Sequence, residues 1–227
     1  MRFLFHQNAG EERLIVSGES LCHIKALRIK AGGAIDVRNL RDDHCYSYEI
    51  KALDRREAEL ALLSRENRPA IPSQYIHIAW CVVDPKAIER ALPQLNELGV
   101  SRLTLLWCDK SQRNFRVDLA RLERIAIASC EQCGRGRAIE IVISDRADFL
   151  KATQNAALLD FGAPPITPEN VKDRVFIVGA EGGFGEADYA AFGSLPRFGV
   201  ASPLVLRSET AALLIAALQL TSACSLQ

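Results

Sequence analysis

Apolar residues alternate with polar ones in short runs over the first third of the chain, and lengthen into continuous apolar runs beyond it. The short runs Arg2–Phe5, Ala34–Arg38, Cys45–Leu53 and Glu57–Leu63 read as strands, separated by turn chemistry at Gly32-Gly33 and Arg41-Asp42-Asp43. One short helix is expected over Glu19–Leu27, with Ser17 as candidate N-cap. The polar, Pro-containing stretch from Ser64 to Gln74 has the composition of a linker. Beyond it the pattern becomes strand–helix–strand. Tyr75–Val83 reads as a strand, followed by a helix with Asp84 as N-cap, Pro85 at its first position and Gly99 closing it. Pro93 inside that helix removes one backbone donor and predicts a kink.

Arg102–Cys108 is the next expected strand, and Val117–Cys133 a long helix ended by Gly134. Ile139–Ile143, Ala157–Phe161 and Val175–Gly179 have the unbroken apolar character of strands buried on both faces of a parallel sheet. A last strand is expected near Ala201–Leu206, then a helix from Glu209 to about Ser222. The alternation predicts an α/β domain over 74–227, preceded by a small β-barrel module over 1–66.

Composition changes this picture little. Apolar residues make up 48% and charged residues 25%, as in ordinary globular proteins. The start of the chain lacks a signal-peptide core, and the apolar run Ala211–Leu218 is too short for a bilayer, so no membrane association is expected. Seven cysteines without a leader predict free thiols in a reducing, cytoplasmic setting. Cys130-x-x-Cys133 stands alone, without the second pair a zinc ribbon needs, and falls at a helix C-terminus, where the dipole disfavours thiolate. No metal is expected.

Lys plus Arg and Asp plus Glu number 28 each, a balance that by itself argues against nucleic-acid binding. Placement changes that. Between Lys110 and Arg137 seven basic residues (Lys110, Arg113, Arg116, Arg121, Arg124, Arg135, Arg137) face three acidic ones, leaving +4. A smaller cluster, His23, Lys25, Arg28 and Lys30, lies in the N-terminal module. Two such patches fit RNA backbone contact, and equally two solvated faces.

The stretch Ile177-Val-Gly-Ala-Glu-Gly-Gly-Phe-Gly185 carries a strand into a loop with four glycines. It lacks the Gly-Lys-Ser/Thr of a P-loop and the Gly-x-Gly-x-x-Gly of a dinucleotide fold. Spacing leaves two readings open, a cofactor loop or a tight strand-to-helix turn. A second polar stretch, Arg207-Ser-Glu-Thr210, lies at an expected strand end and helix start, outside the carboxyl ends of the sheet where open α/β folds bind ligands. Capping by Ser208 or Thr210 explains the hydroxyls there. It leaves Arg207, unfavourable at a helix N-terminus, without an explanation.

Together these residues resemble the bacterial family that methylates N3 of a uridine in the decoding region of 16S ribosomal RNA, within the trefoil-knotted methyltransferases. His23-Ile-Lys-Ala-Leu-Arg-Ile-Lys-Ala-Gly resembles the motif of the family's N-terminal barrel, itself similar to the PUA domain. Glu97-Leu-Gly-Val, Glu131-Gln-Cys-Gly-Arg, Gly179-Ala-Glu-Gly-Gly-Phe and Leu206-Arg-Ser-Glu-Thr-Ala resemble the successive motifs of its catalytic domain.

The resemblance implies a C-terminal trefoil-knotted α/β methyltransferase domain preceded by a PUA-like β-barrel, in a homodimer. It implies S-adenosyl-L-methionine (S-adenosylmethionine) as cofactor, held by three loops through Leu159, Phe161, Ile177, Gly179, Glu181, Gly182, Gly183, Ala201, Leu206, Ser208 and Thr210. For the chemistry of such a transfer, Arg207 is expected to stabilise developing charge and Glu209 to accept or orient the proton, and the basic clusters give His23, Lys25, Arg28, Lys110, Arg113, Arg116 and Arg135 as expected RNA contacts. The chain departs from the family pattern at Gln94, Asp109-Lys110, Ala180, Ser202 and Leu204, which stand for a lysine, Glu-Arg, a proline, a glycine and an arginine. A related knotted enzyme with another RNA target, an RNA-binding factor without catalysis, or a small redox protein built on Cys130 and Cys133 are the rival readings.

Overall fold

Alternating apolar positions build the first sheet in the computed structural model, which describes residues 2–222. Its strands are β1 (Leu4–Phe5), β2 (Arg13–Ser17), β3 (Ala34–Arg38), β4 (His44–Leu53) and β5 (Glu57–Asn67), in the order β1-β3-β4-β5-β2. β1 and β3 run parallel, and the other neighbours are antiparallel. In β2 the pattern is strict: Leu14 and Val16 are buried while Arg13, Ile15 and Ser17 face out. With Ile35, Val37, Tyr48, Ile50 and Leu60 they form a core that Leu21 and Ile24 of helix α1 (Gly18–Ala26) complete. Strand β2 was not anticipated, because five residues with one polar neighbour on either side give a weak periodic signal. Ser17 precedes α1 but makes no side-chain cap.

The chain divides into two compact units. One comprises Met1–Ile71 and Ile127–Ala138, the other Pro72–Ala126 and Ile139–Gln227. The expected division into 1–66 and 74–227 therefore misses one exchange. The second half of α3 (Leu119–Cys133) groups with the N-terminal strands. There Phe5 N–H donates to Glu131 Oε1 (2.7 Å) and Arg2 N–H to the Glu131 carbonyl (2.7 Å). Gly134 ends the helix at φ +92°, the left-handed conformation a helix terminus favours.

The second unit holds a six-stranded sheet of order β11-β9-β10-β6-β7-β8, parallel throughout. Its strands are β6 (Ile76–Cys81), β7 (Val100–Leu106), β8 (Glu140–Ser144), β9 (Ala156–Leu159), β10 (Val175–Val178) and β11 (Arg197–Phe198). The central strands are buried on both faces, as continuous apolar sequence requires. Helix α2 (Pro85–Glu97) starts where Asp84 accepts from Lys86 N–H at 3.0 Å, and runs through Pro93 without interruption. Helices α4 (Arg146–Ala152), α5 (Pro168–Val171), α6 (Glu186–Phe192) and α7 (Ser208–Ser222) complete the unit, and α7 packs on α2, β6 and β10.

Two expectations are corrected. No strand forms over Ala201–Leu206. Ser202 N–H donates to the Val200 carbonyl, Leu204 N–H donates to Ser202 Oγ, and Pro203 offers no donor, so local turns replace a ladder. The cysteines are not all free thiols: Cys81 and Cys108 form a disulfide, with Cα atoms 5.6 Å apart. Adjacent parallel strands bring the ends of β6 and β7 together, a proximity that a spacing of 27 residues does not reveal. Cys224 lies outside the described residues.

Candidate functional site

A cleft opens at the carboxyl ends of β9 and β10, beside the start of α7, where the chain order of the sheet places loops from separate segments together. The 159–162 loop contributes Leu159, Asp160, Phe161 and Gly162. The glycine loop contributes Val178, Gly179, Ala180, Glu181, Gly183 and Phe184, and the last segment Val200, Ser202, Leu204, Leu206, Ser208 and Ala211.

The glycine loop is a tight reversal. Gly183 N–H donates to the Ala180 carbonyl at 2.9 Å, and Gly183 adopts φ +72°. A Cβ on Gly179 would stand 3.1 Å from Gly183 Cα, so glycine at 179 lets the loop fold back closely on itself. The loop is pinned from beneath. Ser208 Oγ donates to the Gly179 carbonyl and accepts from Trp80 Nε1 at 2.7 Å, all within the buried interior. Ser208 is the first residue of α7 and its hydroxyl serves this bridge, which corrects the capping reading. On the other wall, Asp160 accepts from Tyr189 Oη (3.0 Å) and lies 3.7 Å from Arg197 Nη1.

Of the residues expected around a cofactor, Leu159, Phe161, Gly179, Glu181, Gly183, Leu206 and Ser208 line the cleft. Ile177 does not: it is fully buried in β10, one strand pleat away from the opening. Gly182, Ala201 and Thr210 are exposed outside the lining. Sequence reasoning missed Val178, Phe184, Val200 and Ala211, and held Asp160, Gly162, Ala180, Ser202 and Leu204 only within the expected loops Leu159 to Gly162, Gly179 to Gly183 and Ala201 to Thr210 without naming them as contacts. Asp160 directly follows β9, and a polar residue just after an apolar strand was the signal available. Arg207 is exposed and Glu209 half-buried at the start of α7, next to the lining but not part of it.

The basic residues separate. Lys110, Arg113 and Arg116 are exposed in the second unit, and none has an ion pair among the described residues. Arg121 is engaged by Glu89 at 2.6 Å. Arg135 and Arg137 belong to the first unit, and Lys110, Arg113, Arg116, Arg121 and Arg124 to the second. Arg135 is buried, and desolvation pulls its pKa down. His23 is also redirected: its Nδ1 is shielded and 3.9 Å from Glu131 Oε2, whose carboxyl burial pushes up. Lys25 and Arg28 stay exposed, with Lys25 Nζ donating to the Arg55 carbonyl. Among the described residues no group of three His, Cys, Asp or Glu side chains is placed to hold a metal ion, and no helix is long and apolar enough to cross a membrane.

Residues 71–220 match the RNA methyltransferase domain family. Ribosomal RNA small subunit methyltransferase E of Helicobacter pylori (strain ATCC 700392 / 26695) is 37% identical over 223 residues, covering 96% of this chain and 99% of that protein. The protein of the same name from Buchnera aphidicola subsp. Schizaphis graminum is 26% identical over 216 residues, 86% and 85% of the two chains. Among solved structures, a methyltransferase of Legionella pneumophila in complex with S-adenosylmethionine has a TM-score of 0.81 at 23% identity, covering 98% of both chains. A ribosomal RNA small subunit methyltransferase E of Neisseria gonorrhoeae bound to the same compound has 0.81 at 20% identity, covering 97% of both. These two likenesses show the fold. With the family match across two thirds of its length and a full-length relative at 37% identity, the chain belongs to the RNA methyltransferase family.

Proposed function

We propose that the chain transfers a methyl group from S-adenosylmethionine to N3 of a uridine in the decoding region of 16S ribosomal RNA. The observation that carries this reading is the glycine-loop cleft, lined by Gly179 and Gly183, where a Cβ on the first would crowd the loop's own backbone and the second holds a positive φ. Its make-up fits the cofactor. Leu159, Phe161 and Leu206 give apolar walls for a purine ring, and Asp160 and Glu181 supply acceptors for hydroxyl or ammonium groups. The bound cofactor supplies an activated methyl on a sulfonium centre.

The chain's own residues align and deprotonate. Holding the base in line converts a bimolecular step into a positioned one. As N3 loses its proton, negative charge spreads to O2 and O4, and exposed Arg207 at the mouth stabilises it. Glu209, two residues on, accepts or orients that proton. Lys110, Arg113 and Arg116 in the second unit, and Lys25 and Arg28 in the first, hold phosphates while the base turns out of its RNA context.

The same reading includes a trefoil knot in the second unit, a PUA-like barrel in the first, a cytoplasmic location and a homodimer. For the dimer, Phe161 and Leu204 at the cleft and Val205 next to it are 63%, 74% and 75% exposed, and such apolar surface is favourably covered by a second chain.

Calorimetric titration with S-adenosylmethionine, followed by transfer of labelled methyl to small-subunit rRNA and mapping of the modified nucleotide, tests the proposal. Binding with a uridine N3 product supports it. Methylation at another nucleotide replaces the substrate. A folded protein that binds RNA but not the cofactor gives way to the RNA-binding factor reading, toward which Ser202 and Leu204 would then point.

A further inference from the structure

Three charged side chains tie the exposed basic loop to the cofactor loop within the second unit. Asp109 stands between the end of β7 and Lys110, and Asp188, fully buried, lies in the first turn of α6 just after the glycine loop. Their exchange is reciprocal. Asp109 N–H donates to both Asp188 carboxylate oxygens (3.2 and 3.1 Å). Ala187 and Asp188 N–H donate to Asp109 Oδ2 (2.7 and 3.3 Å). Arg146, the first residue of α4, closes the arrangement: its Nη1 donates to Asp109 Oδ1 at 2.9 Å and to Asp188 Oδ1. Asp188 Oδ2 also accepts from Gly185 N–H at 2.9 Å.

A Cβ at Gly185 would overlap the Asp109 side chain, so Asp109 packs on the Gly185 backbone where only glycine fits. One residue further, the methylenes of Lys110 lie against the glycine loop, with Cγ 3.5 Å from where a Cβ on Gly182 would stand. A guanidinium shared by two carboxylates, with backbone donors on both, has its geometry fixed from several directions. A fork that only strengthened α4 would need one acceptor on α4 itself. This one joins two other segments: one leads into Lys110, whose methylenes lie against the glycine loop, and the other follows that loop directly.

We infer that Arg146 is a positioning residue: through Asp109 and Asp188 it holds Lys110 and the following Arg113 and Arg116 in fixed register with the cofactor loop, so that phosphates bound by the loop present the target base to the cleft. The inference rests on the proposed function for its substrate, an RNA strand. The clasp itself does not.

The test uses Arg146→Met, Arg146→Lys and, as a control, Lys110→Met in the full chain, each first checked for a cooperative melt. Hydrogen exchange should show Arg146→Met losing protection over 109–116 and 185–188, with the rest of the sheet unchanged. Binding to a decoding-region 16S rRNA fragment should weaken about tenfold, and its log–log salt slope should flatten by roughly one to two, as one or two phosphate contacts are lost. S-adenosylmethionine affinity should stay within about twofold. Arg146→Lys should restore part of the RNA affinity, and Lys110→Met should flatten the slope without changing exchange. Unchanged exchange over 109–116, an unchanged salt slope, or equal loss of cofactor and RNA affinity overturns the inference. If Arg146→Met does not fold, Arg146→Lys decides by the same readouts. A wild-type chain that transfers no methyl group would defeat the proposed function, while the exchange and RNA-binding arms, which need no catalysis, would still decide the clasp.

Discussion

At the scale of single residues, the site depends on groups that have no freedom to change. Gly183 at φ +72° cannot take a side chain without strain, whereas Gly182 has ordinary space around it. Gly183→Val should therefore weaken cofactor binding at least tenfold by calorimetry, while Gly182→Ala changes it less than twofold. Equal losses would mean the loop reorganises as a whole. Ser208→Ala removes the acceptor of buried Trp80 Nε1 and the donor to the Gly179 carbonyl. It should cost about 1–3 kcal/mol in urea unfolding. A loss below a few tenths would show that the bridge contributes little. His77 gives a pH signature. Burial first, then the Arg102 charge, push its pKa down to about 4 from 6.5, and its Nε2 lies 2.8 Å from Thr104 Oγ1. Between pH 6.5 and 4 the unfolded chain binds a proton that the folded one refuses. This contribution is complete above pH 6.5 and lost as pH falls through the window, up to about 3 kcal/mol. His77→Gln should flatten that part of the stability profile, and an unaltered profile would remove His77 as its source.

At the scale of elements, the disulfide joins the carboxyl ends of β6 and β7, and Asp109, directly after Cys108, is held by α4 and α6. In the chain-entropy account, closing a loop of this length stabilises by about 3–4 kcal/mol. Alkylation of the unreduced protein should leave Cys81 and Cys108 unlabelled, and a reductant should lower the urea midpoint. Labelling of both without reductant would show the pair to be thiols in solution. Much at this scale was legible. The α2 cap at Asp84 and Pro85, the end of α3 at Gly134 and the parallel core strands are local signals, written in adjacent residues. Helix α4 and strand β2 were not, since seven and five residues carry too little periodicity. The expected strand at 201–206 failed because apolar content was weighed above Pro203 and the Ser202 turn.

At the scale of the whole molecule, a net charge of zero conceals an uneven distribution, so RNA affinity should fall steeply with salt despite the balance. A flat dependence from 50 to 200 mM salt would argue against phosphate contact by Lys110, Arg113 and Arg116. The proposed homodimer predicts twice the chain mass by light scattering, shifted toward monomer by Leu204→Asp. A chain that is monomeric throughout would leave the apolar rim unexplained.

The sequence alone determined the α/β pattern, the change of character near residue 70, the glycine loop and the family, because each is carried by neighbouring residues or by motif order. Tertiary structure decided what depends on distance between remote segments. It moved Ile127–Ala138 into the first unit, buried Arg135 and turned His23 toward Glu131. It joined Cys81 to Cys108 and gave Ser208 to Gly179 and Trp80 in place of a helix cap. It also brought Asp109, Arg146 and Asp188 into one cluster across 79 residues. No local pattern encodes such meetings, since a charged side chain reads the same in sequence whether it ends in solvent or against a partner that only the fold supplies.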